Sequence, residues 1–412
     1  MNFLYNILVV IVNFLLPFVA VFSKKLTLFV AGRKETFKQL STLKKTDAVI
    51  WLHVASLGEF EQARPLIKQL KSTYKKHTIV LTFFSSSGYE VQKNYELADL
   101  VCYLPLDCKK NVKRFVELLN PTLAIFVKYE FWPNLLNKLK QKKIPTILVS
   151  GILREQQIFF KFYGKFMRKA LNAFHHFFVQ NQNSKILLES IHFKNVTVAG
   201  DTRFDRVSEI LQHQNTLHFI TEFKNNQYTV VAGSTWKEDE ALLVDYINNK
   251  ASATEKFIIA PHTIKPTTIA NLQKSISKKS ILYSQKEGKV LSEYQVFIID
   301  TIGLLTKTYA AADAAYVGGG LATGLHNILE PATFSIPIVI GGYKYKKFKE
   351  AVDLIAAKGC ILVKNKNEFS STFTQLYKDV EFRKLTGSIN KKYIEKNIGS
   401  TEIIMNYLKK QL

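Results

Sequence analysis

Twice along this chain, short apolar or β-branched runs alternate with stretches of helical periodicity, the pattern of parallel strands covered on both faces by helices. The first series, from Asp47 to about Gln180, places strands at 48–54, 78–83, 100–103, 123–127, 146–150 and 177–179, with helices such as 61–74 and 111–119 between them. A polar stretch rich in Gln and Asn follows over 204–227 and reads as the crossing between domains. The second series then places strands at 229–232, 256–260, 280–283, 296–299, 314–317 and 336–340, and helices over 370–412 close the chain. At 412 residues the chain exceeds one ordinary core. The economical reading is an α/β protein of two doubly wound domains facing a cleft.

Each series holds one junction suited to chemistry. In the first, Trp51-Leu-His-Val-Ala-Ser-Leu-Gly-Glu59-Phe, the apolar run reads as a buried strand and Ala55 to Gly58 as a tight turn. From Glu59 onward, Ala63, Leu66, Ile67 and Leu70 recur at helical spacing. Ligands of open α/β sheets collect outside the carboxyl ends of the strands. A carboxylate in a helix's first turn is kept ionised by the helix dipole, and a general base has that form. A stabilising first-turn acid on a solvated helix is the alternative reading of Glu59 alone.

In the second junction, Val317-Gly-Gly-Gly320 leads through Gly324 to Asn327-Ile-Leu-Glu330-Pro. Glycines let backbone N–H groups approach a phosphate, and the helix that follows adds its dipole. Asn327 and Glu330 share one helical face, where Glu330 would accept from sugar hydroxyls. Any strand-to-helix turn can also use glycine, and the GxGxxG and P-loop patterns are poorly matched or absent. Smaller candidates are the hydroxyl-rich turn with Ser86, Ser87 and Gly88, which is a helix cap or a binding loop, Glu130 between aromatics, Arg203 near the domain junction, and Pro261-His262 after a strand.

Composition bounds the partners. Lys and Arg outnumber Asp and Glu by 57 to 33, a net charge of +24, which favours an anionic membrane surface or a phosphorylated substrate. The lysines are scattered, with no arginine-rich arm and no zinc-finger spacing, which argues against nucleic acid. Three cysteines without a CxxC spacing fit reduced thiols in a cytosolic setting and no zinc site. Residues 3–22 carry no charge and are followed by Lys24, Lys25, Arg33 and Lys34. They suffice to span a bilayer, while Asn6, Asn13 and Pro17 leave a helix lying in the interface open. No positive residue precedes them and no cleavage site follows, unlike a signal peptide, and the basic flank puts the rest of the chain on the cytoplasmic side. The aromatic stretch 158–178, interleaved with lysines and Arg168, reads as part core and part basic amphipathic face for lipid.

In their joint order these pieces are similar to the 3-deoxy-D-manno-octulosonic acid (Kdo) transferases of lipopolysaccharide assembly, over nearly the full length. The residues that carry the resemblance are 51–60, Tyr103-Leu-Pro-Leu-Asp107, Tyr129-Glu-Phe-Trp-Pro-Asn134, Gly200-Asp-Thr-Arg-Phe-Asp205, Tyr309-Ala-Ala-Ala-Asp313 and 326–332. The resemblance implies a GT-B glycosyltransferase with two Rossmann-like domains. A membrane anchor would occupy 1–25, an acceptor-binding domain 26–210, and a nucleotide-sugar-binding domain 211–412 whose last helix is free to pack back on the first domain. It implies inverting transfer of Kdo from CMP-Kdo to a lipid A precursor (lipid IVA), at the cytoplasmic face of the inner membrane and against its anionic lipids, held by a single N-terminal anchor. No metal or other cofactor is expected, because CMP departs with a single phosphate and no Asp-x-Asp is present.

Residue by residue, the resemblance makes Glu59 the general base and gives Glu130 and Arg203 the support of the transition state, Arg203 standing where a lysine is often found. It puts Gly319, Gly320, Asn327, Ile328, Leu329 and Glu330 at the CMP. Two further CMP-binding segments depart from the family: Pro261-His262 replaces Pro-Arg, and Ile302-Gly303-Leu304 replaces Met-Gly-Glu. Gly58, Ser86, Ser87 and Gly88 would meet the acceptor. The same architecture would serve a GT-B enzyme using a UDP-sugar and another lipid-linked acceptor, or a non-catalytic membrane-associated scaffold.

Overall fold

The computed structural model describes residues 2–44 and 48–411; Asp47 and Leu412, named above, lie outside them. The chain divides into two compact units, Met1–Arg206 with Ile398–Leu412, and Val207–Asn397. Each is built on one seven-stranded sheet whose paired strands run parallel.

In the first unit the strands are β1 (Ala48–Val54), β2 (His77–Phe83), β3 (Leu100–Tyr103), β4 (Pro121–Val127), β5 (Thr146–Gly151), β6 (His176–Val179) and β7 (Val196–Val198), in the order β3-β2-β1-β4-β5-β6-β7. The helices that matter here are α1 (Asn2–Ala20), α2 (Lys24–Leu40), α3 (Leu57–Thr73), α4 (Ser86–Gln92), α5 (Lys109–Leu119), α6 (Pro133–Gln141) and α7 (Lys165–Leu171). Six of the seven residues of β1 are buried, as expected of a strand sandwiched between two helical layers. Val49 and Trp51 pack into the cluster with Phe115 and Leu136. Ile50, Leu52 and Val54 pack into the cluster with Phe60, Leu66 and Leu70 of α3.

The second unit has β8 (Thr229–Thr235), β9 (Lys256–Pro261), β10 (Ser280–Leu282), β11 (Val296–Ile298), β12 (Ala314–Val317), β13 (Ile338–Gly341) and β14 (Cys360–Val363), in the order β10-β11-β9-β8-β12-β13-β14. Both sheets therefore reverse direction beside their first strand, between β1 and β4 and between β8 and β12. At such a switch point the loops part and leave a crevice for ligand.

The expected strands form within a few residues. Two were missed, β7 and β14, both short edge strands with little alternation to mark them. One boundary differs with consequence: α3 begins at Leu57, so Gly58 lies in the first helical turn rather than in a turn ahead of it. All three cysteines are free and buried. The closing helix Ser400–Leu408 belongs to the first unit, where Ile404, Met405 and Leu408 join the cluster of α3.

Candidate active site

Glu59 lies two residues into α3, at the carboxyl end of β1 and beside the switch point. Its carboxylate reaches back to accept from the amide of Ala55, the residue just ahead of the N-cap Ser56. The side chain is buried. Burial, and then the negative charge of Glu130, push its pKa up to about 7, against the opposing pull of the Ala55 amide and Lys128. A carboxyl poised there can take a proton near neutral pH.

Glu130 lies in the loop after β4, across the switch point from Glu59. Its Oε2 accepts from the indole Nε1 of Trp132 at 2.9 Å and lies 3.1 Å from His53 Nε2. The other ring nitrogen of His53 meets the Thr82 hydroxyl at 2.9 Å, and Thr82 also accepts from Trp51 Nε1 at 2.9 Å. An ionised carboxylate can only accept, so Nε2 of His53 carries the proton toward Glu130. Trp132 is fixed in turn against Phe84, with ring centroids 4.7 Å apart. The backbone enters this loop through Lys128, whose φ of 71° is unusual for a residue with a side chain.

Arg203 forms a two-point contact with Asp201 through Nε at 2.9 Å and NH2 at 2.8 Å. Asp201 is buried, and despite that burial Arg203 holds its carboxyl below the usual range, with Gln62 of α3 donating to it at 3.0 Å. The guanidinium is thus oriented from the same helix that carries Glu59. Of the expected acceptor residues, Ser87 shares a hydroxyl contact with Ser85, and Ser85 caps α4 by accepting from the Gly88 amide. Gly88 is packed so tightly that a Cβ would stand 2.7 Å from Phe83, and Ser86 is buried. Space beside Gly58 is open, the nearest atom to an added Cβ being Ser56 Oγ at 4.0 Å.

In the second unit the glycine loop has a different basis from the one expected. The Gly318 amide donates to Gly233 O at 3.0 Å and the Gly319 amide to Asp239 Oδ2 at 2.9 Å. Both N–H groups are therefore spent inside the protein rather than turned to a phosphate. Added Cβ atoms at Gly319 and Gly320 would stand 2.2 and 2.1 Å from the carbonyls of Gly324 and Gly341. Close packing of loop on strand is what requires glycine here. Asp239 also accepts from Tyr316 Oη at 2.6 Å and the Trp236 amide at 2.9 Å, which ties the loop after β12 to the helix after β8.

Asn327 accepts from the Leu329 amide at 3.1 Å and donates to Glu330 Oε1 at 3.2 Å, while Thr306 donates to Glu330 Oε2 at 2.6 Å. The carboxylate is held at both oxygens yet keeps lone pairs for a ligand. Ile328 and Leu329 are core side chains, so only their backbone can meet a ligand. Pro261 ends β9. The ring of His262 lies against both Trp236 and His326, with centroids 4.6 Å from each, and Trp236 Nε1 donates to His326 Nε2 at 2.9 Å. Burial, and the neighbouring His262, lower His326 to about 4, so it stays neutral. Ile302 is 85% exposed, Gly303 has φ of 93°, and Leu304 leads into the turn bearing Thr306.

The sequence model of the family described as 3-Deoxy-D-manno-octulosonic-acid transferase (kdotransferase) matches residues 31–206. A 3-deoxy-D-manno-octulosonic acid transferase of Aquifex aeolicus is 28% identical over 86% of this chain and 94% of its own length. Another, of Haemophilus influenzae, is 26% identical over 88% of this chain and 87% of its own length. The chain is thus similar to Kdo transferases over most of its length, and to their family model over its first half. Among solved structures, a UDP-GlcNAc 2-epimerase from Neisseria meningitidis bound to UDP-GlcNAc aligns with a TM-score of 0.62 at 16% identity, over 88% of this chain and 100% of that one. That likeness is one of fold, two Rossmann-type units of the GT-B kind.

The residues that sequence reasoning missed are those that hold the candidates in place: His53, Thr82 and Trp132 around Glu130, Asp201 and Gln62 around Arg203, and Thr306 beside Glu330. His53 and Thr82 did leave a signal, as polar residues inside otherwise buried apolar strands. Trp132 and Asp201 stand two residues from the groups they hold, whereas Gln62 and Thr306 left no signal, since their partners lie 139 and 24 residues away.

Proposed function

We propose that this glycosyltransferase moves Kdo from CMP-Kdo to a lipid A precursor with inversion, and that Glu59 is its general base. The acceptor's hydroxyl oxygen bonds to the anomeric carbon of Kdo as the bond from that carbon to the CMP phosphate oxygen breaks on the opposite face. Glu59 takes the hydroxyl proton, and CMP departs with the electron pair. Glu130, held by His53 and Trp132, stabilises positive charge that develops on the sugar, and Arg203 stabilises the negative charge on the leaving phosphate or the Kdo carboxylate. The second unit takes the nucleotide, with Glu330 and Asn327 accepting from its sugar hydroxyls. Chemistry of this kind proceeds at the inner face of the inner membrane, where Phe3–Ala20, with a mean hydropathy of 2.3, holds the enzyme against its lipid substrate.

The observation that supports the base is the environment of Glu59: a buried carboxyl with a pKa of about 7 at the sheet's switch point, opposite a second carboxylate held by two donors. Replacement of Glu59 by Gln keeps the size and removes the acceptor of the proton. The E59Q protein should retain its melting temperature and bind CMP while losing about 10²-fold or more of its transfer rate. Near-normal turnover from CMP-Kdo in that variant would exclude the role.

A further inference from the structure

The helix α1 is long and apolar enough to cross a membrane, but its contacts do not release it to do so. The Tyr5 hydroxyl donates to Asp107 Oδ2 at 2.7 Å, and Asn134 Nδ2 donates to Asn6 Oδ1 at 2.8 Å. The Tyr5 ring also lies 5.5 Å from that of Phe166 on α7. Four turns later Ala20 is buried, and its carbonyl accepts from Thr27 of α2 at 2.7 Å. Between these ends, Val9 and Leu16 are half-buried. The stripe 5, 9, 16, 20 is one face of the helix, so all 19 residues, about 28 Å, lie along the first unit. A helix crossing the bilayer would carry Tyr5 to the far side, about 30 Å from the body. It would also leave the buried carboxylate of Asp107 without that donor.

The opposite face of α1 presents Phe3, Leu4, Leu8, Phe14 and Phe18 to the outside. Phe162, at 93% exposed, adds a second apolar projection one turn of chain ahead of Phe166, between Lys161 and Lys165. Beside α1, between α5, α6 and α7, lies a cavity of about 700 Å³ lined by Lys109, Lys113, Lys138, Lys140, Lys169 and Phe166. Among the described residues only Lys138 of these lysines pairs with an acid, Glu117 at 3.9 Å. Lys109 also borders the outer groove along Phe3, Ile7 and Ile11 of α1. An apolar ridge flanked by a concave cluster of unpaired ammonium groups is complementary to a leaflet with anionic headgroups, acyl chains against the ridge and phosphates against the lysines.

We infer that the first unit is seated monotopically on one leaflet, with α1 lying in the interface and the lysine cavity beside it binding the phosphate of an anionic phospholipid. This deepens the membrane association proposed above and rests on it. Two measurements on the full chain test it, and neither uses donor or acceptor, so a failed transferase reading would leave both unchanged.

In the first, binding is measured to phosphatidylcholine vesicles with and without phosphatidylglycerol. The variant K109Q/K113Q/K140Q/K169Q should bind the anionic vesicles about a hundredfold more weakly than the parent and the neutral ones equally well, with an unchanged melting temperature. Equal binding by parent and variant to the anionic vesicles would overturn the headgroup site, as would an equal loss on both kinds. In the second, a cysteine placed ahead of Met1 is challenged with a membrane-impermeant maleimide after the protein is added to sealed vesicles; the native thiols are buried. Labelling from outside is expected. Protection until the vesicles are opened would mean that α1 spans, and overturn the monotopic seating. Binding to neither vesicle, with the chain self-associated in solution, would give this face to a second copy and overturn the proposal as well.

Discussion

At the scale of single residues, the first unit's site depends on two carboxyl groups with different surroundings. Glu59 is driven toward neutrality by burial and by the charge of Glu130. Glu130 accepts from His53 and Trp132. If Glu59 acts as the base, transfer rises with pH as Glu59 ionises, with its acid limb centred near 7. Replacing Glu130 by Gln removes the like charge that helps to raise Glu59. The residual activity of E130Q should therefore show its acid limb displaced to lower pH, even though its maximum is reduced. A pH profile with an unmoved limb would mean that Glu130 does not govern the protonation of Glu59. Arg203 follows the same logic of support: its orientation comes from Asp201, and Asp201 is steadied by Gln62, a neighbour of Glu59 on α3.

At the scale of elements, conserving the strand–loop–helix order does not by itself bring the last helix home. Asp205, two residues beyond Arg203, accepts from the Gly399 amide at 2.6 Å, the Thr401 amide at 2.7 Å and the Thr401 hydroxyl at 2.6 Å. These bonds fasten the start of the closing helix, and Met405 and Leu408 then bury against α3. The D205A variant should lose about 2–3 kcal/mol from the first unit. Hydrogen exchange over 400–408 should quicken well before that of β1, and proteolysis should remove the segment first. Unchanged protection of the closing helix would show that its burial alone suffices. The glycine loop after β12 makes a related point, for the close approach of backbone to backbone at Gly319 and Gly320 serves packing, and the organising group is Asp239 on a helix from elsewhere in the unit.

At the scale of the whole molecule, each unit has its own sheet and its own apolar core, and the segment Val207–Asn397 contains Asn327 and Glu330, the residues proposed here to hold the nucleotide's sugar. That segment expressed alone should fold cooperatively and bind CMP with the affinity of the full chain. Within it, E330A should weaken CMP binding roughly tenfold to a hundredfold, the cost of removing a charged acceptor. Calorimetry on the two segments checks both statements, and an unaltered affinity in E330A would move the nucleotide away from that helix. The excess of 57 basic over 33 acidic residues belongs to this scale too, since it is spread over the chain and gains meaning only where folding gathers lysines at one place, as beside α1.

Local periodicity was enough to reveal two parallel α/β units, most of their strands and the stations of Glu59, Glu130 and Glu330 after strand ends, because burial on both faces writes continuous apolar runs into sequence. It also exposed α1 as a membrane-seeking segment. What it did not contain was anything that depends on contacts between distant residues. The order of strands, which sets Glu59 and Glu130 on either side of a switch point, the hold of His53 on Glu130, the use of the Gly319 amide by Asp239, and the docking of Tyr5 on Asp107 were decided by tertiary structure. Those partners are tens of residues apart, and nothing in the spacing of either one announces the other.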